Sequence, residues 1–333
     1  MKSYARFLFS SVSGLISLAS ISVYVAIVGM TGEFGVPSSE TLLAFGAKDP
    51  IAIADGEWWR TITSMFLHIG PLHLFMNLYA IRIIGPQIEE TIGPWLFILL
   101  YAVSGCVGSI ASALFSLSLS AGASGAIMGL LGFGLIIESL VGWRFKRESG
   151  SWPRMGAYLI NTIFITLFGI FVPNIDNAAH FGGLICGAMF GTSVLLVRPN
   201  RLLPTNRLAA GGLLALIAFF TIHGMREITD SRKITQRLVW QAERAELPGE
   251  SVFYYTRAME LQPHSPSILL KRGARLLEMD EMEYAIADLS AAVAKDPSLI
   301  AELRSIRDQI QEIPGREVQA YRLSKLLEAV ADP

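Results

Sequence analysis

Four polar residues in a largely apolar chain could together carry out acyl transfer. Ser124 lies in GASGAIMGLLG (122–132), His180 in DNAAHFGGLICGAMFG, and His73 and Asn77 in FLHIGPLHLFMNLYA. A serine hydroxyl is a weak nucleophile until a base takes its proton, and neutral imidazole is the usual base near pH 7. The tetrahedral intermediate then needs donors for its oxyanion. His73, Asn77 and the backbone N–H of Ser124 are available for that role, and His73 and Asn77, four residues apart, share one helix face. The set is complete without an acidic third member. Asp176, four residues before His180, could orient the ring, but an N-cap role at the start of a helix is the better-founded reading.

Other chemistries fit less well. GASGA lacks the second glycine of the G-x-S-x-G elbow and its strand-to-helix turn, which disfavours a soluble hydrolase. His68 and His73 have neither the H-E-x-x-H spacing nor a third ligand, so no metal is expected, and no residue pattern calls for a cofactor. A net charge of −1 argues against a nucleic-acid partner.

These residues are far apart in sequence, so the elements that carry them must bring them together. The 333 residues are 52% hydrophobic and 17% charged, with a mean hydropathy of +0.47, whereas soluble domains are about 25% charged. Apolar stretches long enough to span a bilayer lie near 7–30, 71–88, 95–118, 123–141, 154–173, 178–197 and 208–224. The first is longer than the apolar core of a signal peptide, so an uncleaved span is expected. The last is short and contains Gly211 and Gly212. Cys106 and Cys186 fall within apolar runs and read as small buried hydrophobes rather than a disulfide. Fold class is therefore expected to be an all-α polytopic membrane protein.

Basic loop residues set the orientation. Lys2 and Arg6 precede span one, Arg144, Lys146, Arg147 and Arg154 lie between spans four and five, and Arg198, Arg201 and Arg207 lie between six and seven. The alternate loops hold only Lys48 and Arg60. The N-terminus is thus expected in the cytoplasm, and spans two, four and six begin at the outer face. His73 with Asn77, Ser124 and His180 then all lie a turn or so below the outer surface. Gly125, Gly129 and Gly132 form a stripe on span four, and His180, Gly183, Gly187 and Gly191 form one on span six. Small residues at such spacing let membrane helices approach closely, and Gly122 suits a tight turn before the serine. Trp58 and Trp59 suit an interfacial anchor in the first outer loop.

After residue 225 the chain is charged and helix-prone. Ala258 and Pro263 recur as Ala292 and Pro297 at an offset of about 34 residues, the period of a tetratricopeptide repeat. The expected organisation is a membrane core over 1–200, a linker and seventh span over 201–225, and a soluble helical tail over 226–333. An ordinary helical hairpin domain is the alternative for the tail. A seventh span would place the tail outside, whereas Arg226, Arg232, Lys233 and Arg237 would suit a cytoplasmic tail.

The motifs GASG with Gly129 and Gly132, AHFGG around His180, HIGPLHLFMN with His68, His73 and Asn77, Trp59-Arg60, and Gly85, Glu89 and Gly93 resemble those of the rhomboid intramembrane serine proteases. They occur in order over about residues 1–200. The resemblance implies a six-helix bundle with Ser124 as nucleophile, His180 as base, and His73, Asn77 and the Ser124 amide as oxyanion hole. His68, Gly122, Trp59, Arg60 and Gly183 would support them. Implied substrates are transmembrane proteins cut in or near a membrane segment, in a bacterial inner membrane, with the active site opening outward. A partner protein or peptide for the tail is a further expectation. One departure is Met128, where many members carry an aromatic residue that packs on the histidine. A catalytically silent relative that binds membrane clients for quality control is the alternative function.

Overall fold

The computed structural model describes residues 11–144, 151–172, 175–197 and 204–331. The loop cations Lys2, Arg6, Lys146, Arg147, Arg198 and Arg201 lie outside these residues, as do the side chains of Arg144 and Arg154. The chain divides into two units, Met1–Thr229 and Asp230–Pro333.

The first unit holds the long helices α1 (Val12–Thr31), α5 (Pro71–Ile92), α6 (Pro94–Phe115), α7 (Ser124–Arg144), α8 (Ser151–Phe171), α9 (Asn177–Leu196) and α10 (Pro204–Ile228). Between α1 and α5 the first loop folds into the short helices α2 (Ser39–Ala44), α3 (Pro50–Ala54) and α4 (Arg60–Thr63), then a 3-10 turn at Ser64–Phe66. Among the described residues, Val12–Thr31, Pro94–Phe115, Asn177–Leu196 and Asn206–Ile228 are each long and apolar enough to cross a membrane. α5 meets that measure only together with the preceding Arg60–Phe66 segment, from which it turns by 92°. Its own length carries Arg82, Glu89 and Glu90. α7 and α8 contribute the shorter apolar stretches Ser124–Ser139 and Met155–Phe171. The protein is thus an all-helical, multi-pass membrane protein.

Backbone groups at helix ends find no water in a bilayer, so the chain must satisfy them itself. Glu89 near the end of α5 reaches the start of α1, where its carboxylate accepts from the N–H groups of Val12 (2.8 Å) and Ser13 (3.0 Å) and from the Ser13 hydroxyl (2.9 Å). Gly85, one turn earlier, leaves room for Ser13, whose Cβ would lie 2.7 Å from an added methyl. Gly93, at φ +80°, ends α5 and starts α6, with Pro94 at the first helical position.

α7 is the central helix. Ala126, Ile127, Met128, Leu130, Leu131 and Phe133 are buried and pack with Ile84 and Ile88 of α5, Phe97, Leu100 and Tyr101 of α6, and Phe190 of α9. The outer faces of α8 and α10 expose Ile160, Ile163, Ile170, Leu208 and Phe219, as lipid contact requires. Ile228 at the end of α10 packs with Ile53 of α3 and Ile110 and Ala113 near the end of α6. α10 therefore finishes at the end of the bundle where α6 ends.

The second unit is built from α11 (Ser231–Arg244), α12 (Pro248–Leu261), α13 (Pro266–Glu278), α14 (Met282–Lys295), α15 (Ile300–Gln311) and α16 (Glu317–Ala331). α11 to α14 pack each on the next and α15 packs on α16, and Leu270, Leu277, Leu289, Val293, Leu303 and Leu323 lie in the core. Arg272 of α13 grips Asp288 of α14 through two bonds of 2.7 and 2.8 Å.

Candidate active site

Ser124 opens α7 and His180 lies in the first turn of α9. The two helices meet through bare backbone. A methyl added to Gly183 would strike the Gly125 carbonyl, one on Gly187 the Gly129 carbonyl, and one on Gly132 the Leu184 carbonyl. Gly108 of α6 similarly faces the Ala179 carbonyl, 2.8 Å from an added methyl. With no side chains holding the axes apart, the starts of α7 and α9 come within reach of each other. Both glycine stripes read from the sequence lie in this contact.

The result is a hydrogen bond of 2.7 Å between Ser124 Oγ and His180 Nε2, spanning 56 residues of sequence. His180 is buried, and its Nδ1 has no hydrogen-bond partner. Asp176 points elsewhere. It is the N-cap of α9, with Oδ1 accepting from the Ala179 N–H at 3.0 Å and Oδ2 accepting from the Ser112 hydroxyl. The arrangement is a serine–histidine pair without an acid on the second ring nitrogen.

The oxyanion candidates sit on α5 beside this pair. His73 lies against Gly122, whose added methyl would come 2.7 Å from His73 Cε1 and 3.7 Å from Ser124 Oγ. Asn77 is buried and spends one amide N–H on the His73 carbonyl at 2.8 Å. An amide carries two such donors, so this bond leaves one in its inventory. His68 precedes α5, is buried, and sets its ring edge-on to His73 at 5.3 Å between centroids. Met128 is fully buried in the core of α7.

Trp59 and Arg60 organise the first loop. The buried Arg60 donates to the carbonyls of Leu43 (2.6 Å) and Ala47 (3.1 Å), pairs with Glu57 at 2.5 Å, and stacks on Trp59 at 4.8 Å. Trp59 in turn packs into the space that Gly46 leaves open. Gly122 is tied back to this region through its N–H, which donates to the Ser64 carbonyl at 2.9 Å.

A cavity of about 290 Å³ contains the pair and its neighbours, with Ser124, His180, His73, Asn77 and Gly122 in its wall. Phe75, Met76 and Tyr79 of α5 line one side, and Asn161, Phe164 and Phe168 of α8 another. Such a lining suits an apolar segment presented to a few polar groups. Lys48, which sequence reading treats only as a loop charge, is buried and forms an antiparallel backbone bridge with Ser120 beside the cavity. No local signal marks that burial.

The chain is similar to known proteins. The Rhomboid domain model matches residues 55–197. The chain is 36% identical to Rhomboid protease GluP of Bacillus subtilis (strain 168) over 267 residues, 79% of this chain and 51% of that protein. It is 40% identical to the mitochondrial RHOMBOID-like protein 6 of Arabidopsis thaliana over 49% of this chain and 52% of that protein. With Rhomboid-like protease 2 of Toxoplasma gondii the identity is 32%, over 62% of this chain and 77% of that protein. The chain thus spans about half the length of the first two relatives and three quarters of the third.

Proposed function

The chain belongs to the rhomboid family, and from that premise we propose that it is an intramembrane serine endopeptidase that cuts membrane proteins in or near a transmembrane segment. The observation that carries this reading is the 2.7 Å bond between Ser124 Oγ and His180 Nε2 inside a largely apolar cavity. His180 takes the Ser124 proton as Oγ attacks the scissile carbonyl carbon, and the carbonyl oxygen becomes an oxyanion. The Ser124 N–H, His73 and the second amide N–H of Asn77 stabilise that charge. Collapse of the intermediate breaks the C–N bond, His180 returns the proton to the leaving amine, and water, deprotonated by His180, releases the acyl group from Ser124.

On the same reading the membrane unit sits in a bacterial inner membrane with the cavity opening to the outer face. A seventh span at α10 would by topology place the tail outside. A tetratricopeptide-like tail is supported by the helices themselves. α12 (Pro248–Leu261) and α14 (Met282–Lys295) are offset by 34 residues at both ends, and Ala258 and Ala292 are both fully buried. Such repeats present grooves to peptides or partner proteins, and that is the role assigned to the tail.

The test uses purified protein in detergent with a model transmembrane substrate. Wild type cleaves it, and Ser124→Ala and His180→Ala lose cleavage by at least about a thousandfold. Cleavage retained in both variants overturns the assignment. A substrate that is bound but never cut by wild type identifies the client-binding alternative.

A further inference from the structure

Lys48 is fully buried, with 1% of its surface exposed. An ammonium group in such a place is costly unless it is paired and hydrogen-bonded. Its Nζ donates to the Ser118 carbonyl at 2.7 Å. Its backbone exchanges two bonds with Ser120, at 2.8 and 2.9 Å, in the short segment that leads to Ser124. Asp176 accepts from the Ser112 hydroxyl and from the Ala179 N–H, and Ser120 shares the cavity wall with it. Burial pushes the Asp176 carboxyl up, but the Lys48 charge and these hydrogen bonds together hold it below its ordinary value.

These groups join three parts of the chain: the first loop, the segment before the nucleophile, and the N-terminus of the helix that carries His180. Ser120 and Asp176 also face the cavity. We propose that the buried knot of Lys48, Ser112, Ser120 and Asp176 is the device that holds the first turn of α9, and so the His180 ring, at bonding distance from Ser124. Asp176 and Lys48 are then positioning residues. Neither bonds to the free ring nitrogen of His180, and both act through the helix start and the segment before Ser124. The apposed glycines set the distance between α7 and α9, while the knot fixes their relative height.

This inference rests on the proteolytic reading, so its test keeps the two apart. The full-length protein in detergent is treated with a fluorophosphonate probe, and kcat and KM are measured on a transmembrane substrate. Wild type takes the label and Ser124→Ala does not. Asp176→Ala is labelled about tenfold to a hundredfold more slowly, the scale expected when a reacting group is misplaced by about 1 Å. Its kcat falls in step while KM stays within about twofold, since the cavity wall is otherwise intact. Asp176→Asn keeps an oxygen to accept from Ala179 and so keeps the fold, but loses the carboxylate charge. It shows an intermediate loss of labelling rate, with a melting midpoint at neutral pH lowered by at most a few degrees. Lys48→Met combined with Asp176→Asn is no slower than the slower single variant by more than about twofold, because the two act as one unit. Folded Asp176→Asn and Lys48→Met proteins labelled at the wild-type rate overturn the proposal, even where Asp176→Ala fails to fold. A label on Ser124→Ala, or none on wild type, overturns the serine–histidine assignment and the positioning role with it.

Discussion

Gly122 has φ +147° and a neighbouring ring where a side chain would go. Any β-carbon there meets His73 Cε1 at 2.7 Å and also forces a backbone conformation that side chains resist, a strain of about 1–3 kcal/mol. Gly122→Ala is therefore expected to displace His73 and the start of α7 together. Fluorophosphonate labelling should fall by at least about tenfold, with a melting midpoint lowered by a few degrees. Wild-type labelling in that variant would remove His73 from the proposed oxyanion hole. At this scale residue types were informative: a serine, two histidines and an asparagine in apolar surroundings are expensive enough to draw attention. Lys48 was not legible, because a lysine in a loop normally reads as a solvated charge. Its burial depends on Ser118 and Ser120, which approach it only when the chain is folded.

The contact between α7 and α9 depends on the glycines that both helices present. In Gly183→Ala and Gly187→Ala the new methyl meets a backbone carbonyl, which cannot rotate out of the way as a side chain could. The helices must separate, at a cost of about 1–3 kcal/mol, and activity should fall with the melting midpoint. Gly211→Ala on α10 is the control. Nothing lies within 4 Å of that position, so stability is unchanged or slightly raised. Equal effects at Gly187 and Gly211 would mean that the α7–α9 contact is not limiting. The N-cap of α9 adds a pH dependence. The Asp176 carboxyl is depressed in the folded state, so its contribution is present above the ordinary carboxylate range and is lost as pH falls through the depressed value. The melting midpoint of wild type should drop more steeply below about pH 4 than that of Asp176→Asn. Helical periods and stripes were readable in the sequence because a helix repeats its faces regularly. Which helix meets which stripe depends on contacts between segments distant in sequence.

Across the molecule, the membrane unit and the helical tail each have a core of their own. Arg272 and Asp288 join α13 to α14 well away from the serine in sequence, and both are largely shielded from solvent. Arg272→Ala leaves Asp288 without its partner, and about 1–3 kcal/mol of tail stability should go with it, short of the value for a fully buried pair. Limited proteolysis of the full chain would then cut the tail faster while Ser124 labelling is unchanged. Slower labelling would mean that the tail contributes to the membrane site.

The sequence by itself determined the all-helical membrane class, the positions of its long helices and the residue types able to do acyl transfer. Those properties follow from local regularities: apolar length against bilayer thickness, and the period of a helix. Only the tertiary structure decided that Ser124 and His180 share a 2.7 Å hydrogen bond, that Asp176 turns to the helix start rather than to the ring, and that Lys48 is buried beside Ser120. These are contacts between residues far apart along the chain. The glycine stripes permit a close approach, but which helices meet, and at what height, is set by packing between distant segments.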